Sequence, residues 1–259
     1  MGFLQEKVAI VTAGAGAGMG SAISMAFAKE GAAVVVADIA EERAKKVARE
    51  INTAGGKAIA VATDVSKAAD VAQMVDTTIR EFGTVSILVN HAGVLGSGPI
   101  EEITEEQWDR SIAVHLKGAF LCCRAVVPHM KKQRWGRIIS TTSRAGYRLM
   151  RMSRGLSDYA AAKAAMTGFS RAVAMEVGSF GITANIVAPG VVAGCGMVEG
   201  GAPSAADEQK QAEAEGQVLP ARPVRPDEIA ATYLYLAGPY SDQITGMVVH
   251  VNGGSYFPA

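Results

Sequence analysis

Seven short apolar runs alternating with longer amphipathic stretches predict an α/β protein built on a doubly wound parallel sheet of about seven strands, with helices on both faces and one domain spanning residues 1–259. Two further observations carry this prediction. The runs are continuously apolar rather than alternating, which suits strands covered on both faces. A glycine cluster, VTAGAGAGMG, joins the first run to the first helical stretch, where an α/β sheet places a nucleotide-binding turn.

The elements follow in order. Residues 8–12, 33–37, 58–62, 87–89, 137–140, 184–187 and 247–251 read as buried strands. Between them, 19–30, 41–54, 67–82, 105–132, 158–180 and 226–237 each carry apolar residues on one face at helical spacing. Asp64-Val65-Ser66 reads as a helix entry, and Pro226-Asp227-Glu228 as another, with proline early and acids in the first turn. No linker or repeat divides the chain. Residues 194–217, rich in Gly, Ala, Glu and Gln, interrupt the rhythm and are expected to form a substrate-binding lid.

Composition excludes several classes. Lysine plus arginine equal aspartate plus glutamate at 25 each, so charge points to no nucleic-acid or membrane-surface partner. Cys122, Cys123 and Cys195 are odd in number and lack metal-ligand spacing, as do the four histidines, so no metal is expected. This cysteine usage suits a reduced, cytoplasmic protein. No apolar signal region opens the chain, and no run reaches the ~18 apolar residues of a membrane span.

The chemistry begins at the glycine turn. G-x-G-x-x-G does not fit, because Met19 stands where its third glycine belongs; the pattern is Gly14-x-x-x-Gly18-x-Gly20. Such a turn brings backbone N–H groups to a pyrophosphate at a helix N-terminus. Asp38 closes the second strand, where a carboxylate takes the ribose 2′-OH of NAD and repels the 2′-phosphate of NADP. No Lys or Arg in the turn itself offsets it. Tyr159 and Lys163, four apart in YAAAK, share one face of a predicted helix. A nearby ammonium favours tyrosinate and makes proton exchange with an alcohol feasible.

With these residues the chain resembles the classical short-chain dehydrogenase/reductase family over essentially its whole length. The glycine turn, Asp64-Val65, Asn90-x-Ala92-Gly93, Ser143-x-x-Gly146, Tyr159-x-x-x-Lys163, Pro189-Gly190 and Asn252-Gly253-Gly254 stand in the family's order. The resemblance implies a Rossmann-like domain that exchanges hydride between nicotinamide and an alcohol/ketone pair. It makes Tyr159 the acid/base, has Ser143 hold the substrate oxygen, and has Lys163 bind the nicotinamide ribose and tune the tyrosine. Gly14, Gly18, Met19, Gly20, Asp38, Asp64, Val65, Asn90, Ala92, Gly93, Pro189, Gly190 and Val192 are then the expected cofactor-binding set, with Asp64 at the adenine. A small-molecule substrate and a homotetramer are implied too; helices 105–132 and 158–180 carry apolar residues on more than one face, and Ala125, Val126, Ala172 and Val173 are the expected pairing set at a two-fold interface.

Four departures stand out. Ala13-Gly14 replaces the usual Thr-Gly, with Thr12 one place earlier. His91 replaces the second asparagine of Asn-Asn-Ala-Gly and reads as structural. Gly194 stands where a threonine often touches the carboxamide. His115 replaces the asparagine whose backbone carbonyl holds a relay water, so its imidazole is a candidate relay member or a passive substitution.

The stretch 143–159 carries Arg144, Arg148, Arg151 and Arg154. These arginines suit an anionic substrate, or they pair with acids such as Glu199 and Glu213. Leu149, Met150 and Met152 favour a hydrophobic or aromatic alcohol instead. NAD is the expected cofactor. The rival enzymatic reading is an NADPH-dependent 3-oxoacyl-acyl-carrier-protein reductase, which YAAAKA, GFS and HVNGGSY resemble. The rival outside catalysis is a nucleotide-binding sensor or scaffold, against which the intact Ser143, Tyr159 and Lys163 argue.

Overall fold

The computed structural model describes residues 2–96, 98–149, 155–195 and 204–257. Seven strands form one parallel sheet: β1 Val8–Thr12, β2 Ala33–Asp38, β3 Lys57–Ala62, β4 Ile87–Asn90, β5 Gly136–Thr141, β6 Ile182–Pro189 and β7 Val248–Val251. Their order is β3-β2-β1-β4-β5-β6-β7. The chain winds outward from β1 in both directions, so the switch point falls between β1 and β4, where such sheets open a ligand crevice.

Burial on both faces explains the unbroken apolar runs. Successive side chains point to opposite faces. Val34 and Val36 pack under α1 (Met19–Lys29), α2 (Glu41–Thr53) and α8 (Pro226–Ala237). Val35 and Ala37 pack under α3 (Ala68–Phe82), α5 (Gly118–Gln133) and α6 (Ser157–Val177). α2 buries Ala44, Val47, Ala48 and Ile51 and turns its charges to solvent. The expected entry at Asp64 is instead a turn: Asp64 accepts from Ser66 N–H and Oγ–H, and the helix begins at Ala68.

The expected helix 105–132 is interrupted. α4 (Glu105–Ile112) passes into a π turn at Ala113–Lys117 before α5 begins. Gly118 N–H donates to the Ala113 carbonyl, five residues back. By length and apolarity alone Glu105–Gln133 would cross a membrane. Here Leu121, Cys122, Val126 and Met130 of this stretch pack in the core beside the sheet. Helix 158–180 ends as α6 plus a 3₁₀ turn, Gly178–Phe180.

Within 194–217 lies a helix the sequence reading missed, α7 (Ala205–Ala214), capped by Ser204, whose hydroxyl accepts from Asp207 N–H. The expected interface set is also corrected. Val126 and Val173 pack inside the subunit core, because they lie on the sheet-facing stripes of their helices. The outward positions are Phe120, Ala172 and Met175, the last 87% exposed.

Candidate active site

The carboxyl ends of β1, β2 and β4 open on a cleft of about 420 Å3, lined by Gly16, Ala17, Met19, Asp38, Asp64, Val65, Ala92 and Gly93 among others. The glycines do different jobs around it. Gly18 has φ +79°, and Gly20 sits so close to the Ala13 carbonyl that any Cβ would collide. Gly14 is turned inward, bonded through its N–H to Ala37 O. The turn thus presents Gly16, Ala17 and Met19 to the cleft and leaves Gly14 and Gly20 as packing positions. Asn90 points into the core, its amide 3.5 Å from Cys123 Sγ and Ser140 Oγ. Val192 bridges to Val224 and braces the segment after β6.

Asp38 is buried but borders the cleft. Its Oδ1 accepts from Ala40 N–H at 2.9 Å and its Oδ2 from Ala15 N–H at 3.3 Å. One turn into α2, Arg43 reaches Asp38 Oδ1 with Nη2 at 3.4 Å, its own side chain 60% exposed. The glycine turn itself holds no basic residue, as expected, but the carboxylate does have a basic neighbour. Arg43 lies on the helix after the strand, not in the turn, and helix geometry swings it back.

A second cavity, of about 130 Å3, is lined by Ser143, Tyr159, Pro189 and Gly190, with Leu95, Leu156 and Val191 as apolar wall. Ser143 follows β5, while Tyr159 and Lys163 occupy one face of the first turns of α6. Tyr159 is 6% exposed and Lys163 3%. Burial raises the Tyr159 pKa, opposed by its hydrogen bond with Ser143 and the positive charge of Arg144. Lys163 donates to Thr141 O at 2.9 Å, and its Nζ lies 5.6 Å from the Tyr159 ring centre. Burial lowers its pKa to about 7. The positive charge that acts on Tyr159 is thus that of Arg144 rather than that of the lysine expected to tune it.

His115 lies inside the π turn, fully buried. Its Nε2 is 2.8 Å from Val94 O, and its ring meets Tyr159 edge-on, centres 5.3 Å apart. Burial, with the nearby Lys163 charge, lowers its pKa to about 3. Neither ring nitrogen bonds Tyr159 or Lys163, so the geometry makes His115 a neutral clamp between the 92–94 segment and the tyrosine. His91 caps β4; its backbone N–H donates to Thr12 Oγ1 and its Nδ1 lies 2.9 Å from Thr141 Oγ1.

Arg144 and Arg148, the loop arginines among the described residues, have protein partners. Arg144 Nε and Nη2 both reach Glu215 Oε1 at 2.9 Å, in a pair buried at the end of the lid region. Arg148 donates to Ser255 O. The partner acid is Glu215 rather than Glu213, and the contact spans 71 residues of sequence. Met150, Arg151, Met152, Arg154 and Glu199 lie outside the described residues. Sequence reasoning also missed Arg43, Arg110 and Cys195 at the first cavity and Glu215 and Gln211 at the second. No local pattern marks these; only the fold gathers them.

Comparison with known proteins bears on the fold and the family. Residues 14–256 match the sequence model of a family described as enoyl-(acyl carrier protein) reductase. The chain is 39% identical over 257 residues to the short-chain reductase protein NovJ of Streptomyces niveus, covering 96% of this chain and 94% of that protein. It is 40% identical over 255 residues to a 3-oxoacyl-[acyl-carrier-protein] reductase of a Synechocystis strain, covering 97% of each. The crystal structure of a short-chain type dehydrogenase/reductase from Mycobacterium marinum superposes with a TM-score of 0.89 at 31% identity, covering 98% of this chain and 97% of that one. By fold, by the ordered motifs and by these relatives, the chain belongs to the short-chain dehydrogenase/reductase family of oxidoreductases.

Proposed function

We propose that this protein is an NAD(H)-dependent oxidoreductase that interconverts a secondary alcohol and its ketone. The observation that carries the reading is the Ser143–Tyr159 hydroxyl pair, its tyrosine buried, lining a small cavity beside a cleft that has a carboxylate at its far edge. The cleft suits a dinucleotide. Its floor is the glycine turn at the N-terminus of α1, where a diphosphate finds backbone donors. Asp38 has an edge on the cleft for a ribose diol.

Bound nicotinamide supplies the hydride acceptor or donor. The remaining work falls to the chain. Ser143 Oγ–H donates to the substrate oxygen; Tyr159 as tyrosinate takes the proton of the alcohol, and as the neutral hydroxyl gives one to the oxygen of the ketone. Lys163, held by Thr141 O, supplies positive charge behind the tyrosine. Leu95, Leu156 and Val191 exclude water from the reacting carbon. Since Arg144 and Arg148 are engaged within the protein, a neutral substrate is favoured over an anionic one. Residues 194–217 serve as the lid, the assembly is a homotetramer using the outward faces of α5 and α6, and the compartment is the reducing cytoplasm.

A second reading has its own support. The family description and the Synechocystis relative are both named for acyl-carrier substrates. Arg43 beside Asp38 offers a cation for a 2′-phosphate. Two assays separate the readings: NADH formation from a panel of secondary alcohols, and NADPH oxidation with a 3-oxoacyl thioester. Higher kcat/KM in the first supports the NAD alcohol reading, and the reverse replaces it with the reductase. Binding of NADH without turnover in either makes the chain a nucleotide sensor. Light scattering at micromolar concentration tests the tetramer.

A further inference from the structure

The cavity that holds Ser143 and Tyr159 has an acid in its wall. Glu215 caps the end of α7 and is 1% exposed. Both bonds that it accepts from Arg144, from Nε and from Nη2, fall on Oε1, each at 2.9 Å. Oε2 is buried as well, and among the described residues it accepts no hydrogen bond. It lies beside Gly190, where a Cβ would stand 3.1 Å from it, so glycine leaves room at that oxygen. Gly190 and Glu215 line the cavity together with the two hydroxyl-bearing residues.

A buried carboxylate oxygen without a donor is costly, and in the wall of a binding cavity it marks a place for a donor on the ligand. Charge decides which donor. Arg144 already balances the carboxylate, so an ammonium would bring a cation with nothing to offset it. A neutral hydroxyl satisfies Oε2 and adds no charge. Size decides where that hydroxyl is carried. The cavity is about 130 Å3, the share of about four waters at roughly 30 Å3 each. The donor and the reacting carbon therefore belong to one small unit, a few bonds apart. The rival partner is internal. Among the described residues Asn252 Nδ2 is also buried without an acceptor, and Asn252 Cβ stands as close to the Gly190 Cβ position as Oε2 does. That amide is tied elsewhere, its Oδ1 accepting from Gly254 N–H at 3.0 Å.

We infer that Glu215 is a specificity-determining residue whose Oε2 accepts from a second, non-reacting hydroxyl of the substrate, so that the protein takes a diol or hydroxyketone in preference to a simple alcohol or ketone. The inference rests on the proposed reading of this cavity as the site of alcohol–ketone interconversion. Glu215 moves no proton of the reaction. Arg144 is the positioning residue: it holds the carboxylate by Oε1 and leaves Oε2 to the substrate. Discrimination follows because an isostere lacking the second hydroxyl leaves Oε2 buried and unmet.

The test compares matched substrates within one protein. With NAD+, and in parallel with NADP+, kcat/KM is measured for trans-cyclohexane-1,2-diol beside trans-2-methylcyclohexanol, and for butane-2,3-diol beside 3-methylbutan-2-ol. In each pair a methyl group replaces the second hydroxyl. The wild type is expected to favour the diol about 10- to 100-fold, the worth of a hydrogen bond to a charged acceptor. Arg144→Met/Glu215→Leu removes both charges together and is expected to bring the ratio to about 1 or below. Loss of the Arg144 charge beside Tyr159 falls on both members of a pair and cancels in the ratio. Glu215→Gln keeps a neutral acceptor and is expected to fall between the two. A wild-type ratio near 1 in both pairs overturns the inference, and this is the result that the internal Asn252 pairing predicts. A preference that survives in the double variant overturns it too, since an ion pair that only holds α7 to the loop after β5 affects both substrates alike. A second readout needs no turnover. With NADH bound, the diols are expected to shift a carboxylate stretching band in infrared difference spectra, a shift absent with the methyl analogues and in Glu215→Gln. No shift in the wild type overturns the inference. Absence of turnover with every one of these alcohols removes the alcohol–ketone reading, and this inference with it. Should neither variant fold, the wild-type ratio and the infrared shift still decide.

Discussion

Replacing Lys163 by methionine is expected to stabilise the cofactor-free protein at pH 6 while abolishing turnover. The lysine is 3% exposed, and its hydrogen bond to Thr141 O does not compensate for lost hydration. Burial brings its pKa from 10.5 to about 7. At about 1.4 kcal/mol per pH unit, holding the ammonium inside the fold below pH 7 costs about 5 kcal/mol. Methionine fills much the same space without charge. It also strands the Thr141 carbonyl, which returns about 2 kcal/mol of cost. The net gain is about 3 kcal/mol, or roughly 6–12 °C in Tm for a chain of this size. The sign with pH follows from linkage. A cation whose pKa is lower in the fold than in the unfolded chain makes stability rise with pH between the two values, here from about 7 to 10.5. His91 and His115, lowered to about 4 and about 3, impose the same sign from those values up to 6.5, but equally in both proteins. Scanning calorimetry of both proteins from pH 6 to 10 measures the gap, which is expected to narrow above pH 7. A variant less stable than the wild type at pH 6, or a gap that stays constant to pH 10, refutes the reasoning.

Tyr159→Phe is expected to lower kcat by about 10²- to 10⁴-fold with NADH affinity retained, read by steady-state kinetics beside fluorescence titration. Asp38→Ala is expected to raise kcat/KM with NADP+ relative to NAD+, because the carboxylate that repels a 2′-phosphate is gone while Arg43 remains; an unchanged ratio removes Asp38 from cofactor choice. Arg144→Ala is expected to destabilise the fold by about 3–5 kcal/mol in urea titrations, since Glu215 is left buried and unpaired. The double variant Arg144→Met/Glu215→Leu is expected to recover most of that loss. His115→Asn is expected to leave the pH–rate profile between 6 and 8 unchanged, because the imidazole is already neutral there.

Strands were legible because a sheet covered on both faces needs side chains that are apolar in both directions, and such runs are hard to mistake. That Asp38 ends a strand and that Tyr159 and Lys163 share a helix face was legible in the local pattern, whereas the chemical roles expected of them came with the family resemblance. α7 was not, since AADEQKQAEA offers no apolar stripe; Ala212 and Glu208 are its buried positions. Its cap, Ser204, was the available signal. The partners of His91 and Arg144 were hidden for another reason. Tyr233 stands 92 residues from Thr141, and Glu215 71 residues from Arg144. Only the folded sheet brings those pairs together. Val126 and Val173 mislead because apolar residues on a two-sided helix do not declare which side meets the core.

Thr141 divides its labour between main chain and side chain. Its carbonyl holds Lys163, and its hydroxyl joins Tyr233 to His91. Any residue at this position keeps the carbonyl, but only a hydroxyl-bearing one keeps the other link. The two functions therefore lie under unequal mutational exposure. The lysine's anchor is indifferent to drift at position 141, whereas the imidazole's orientation can be gained or lost in a single substitution. A change such as Thr141→Val would leave the lysine's anchor in place while severing the link between Tyr233 on α8 and His91. A substitution at one position thus loosens the packing of α8 on the sheet while the lysine keeps its place.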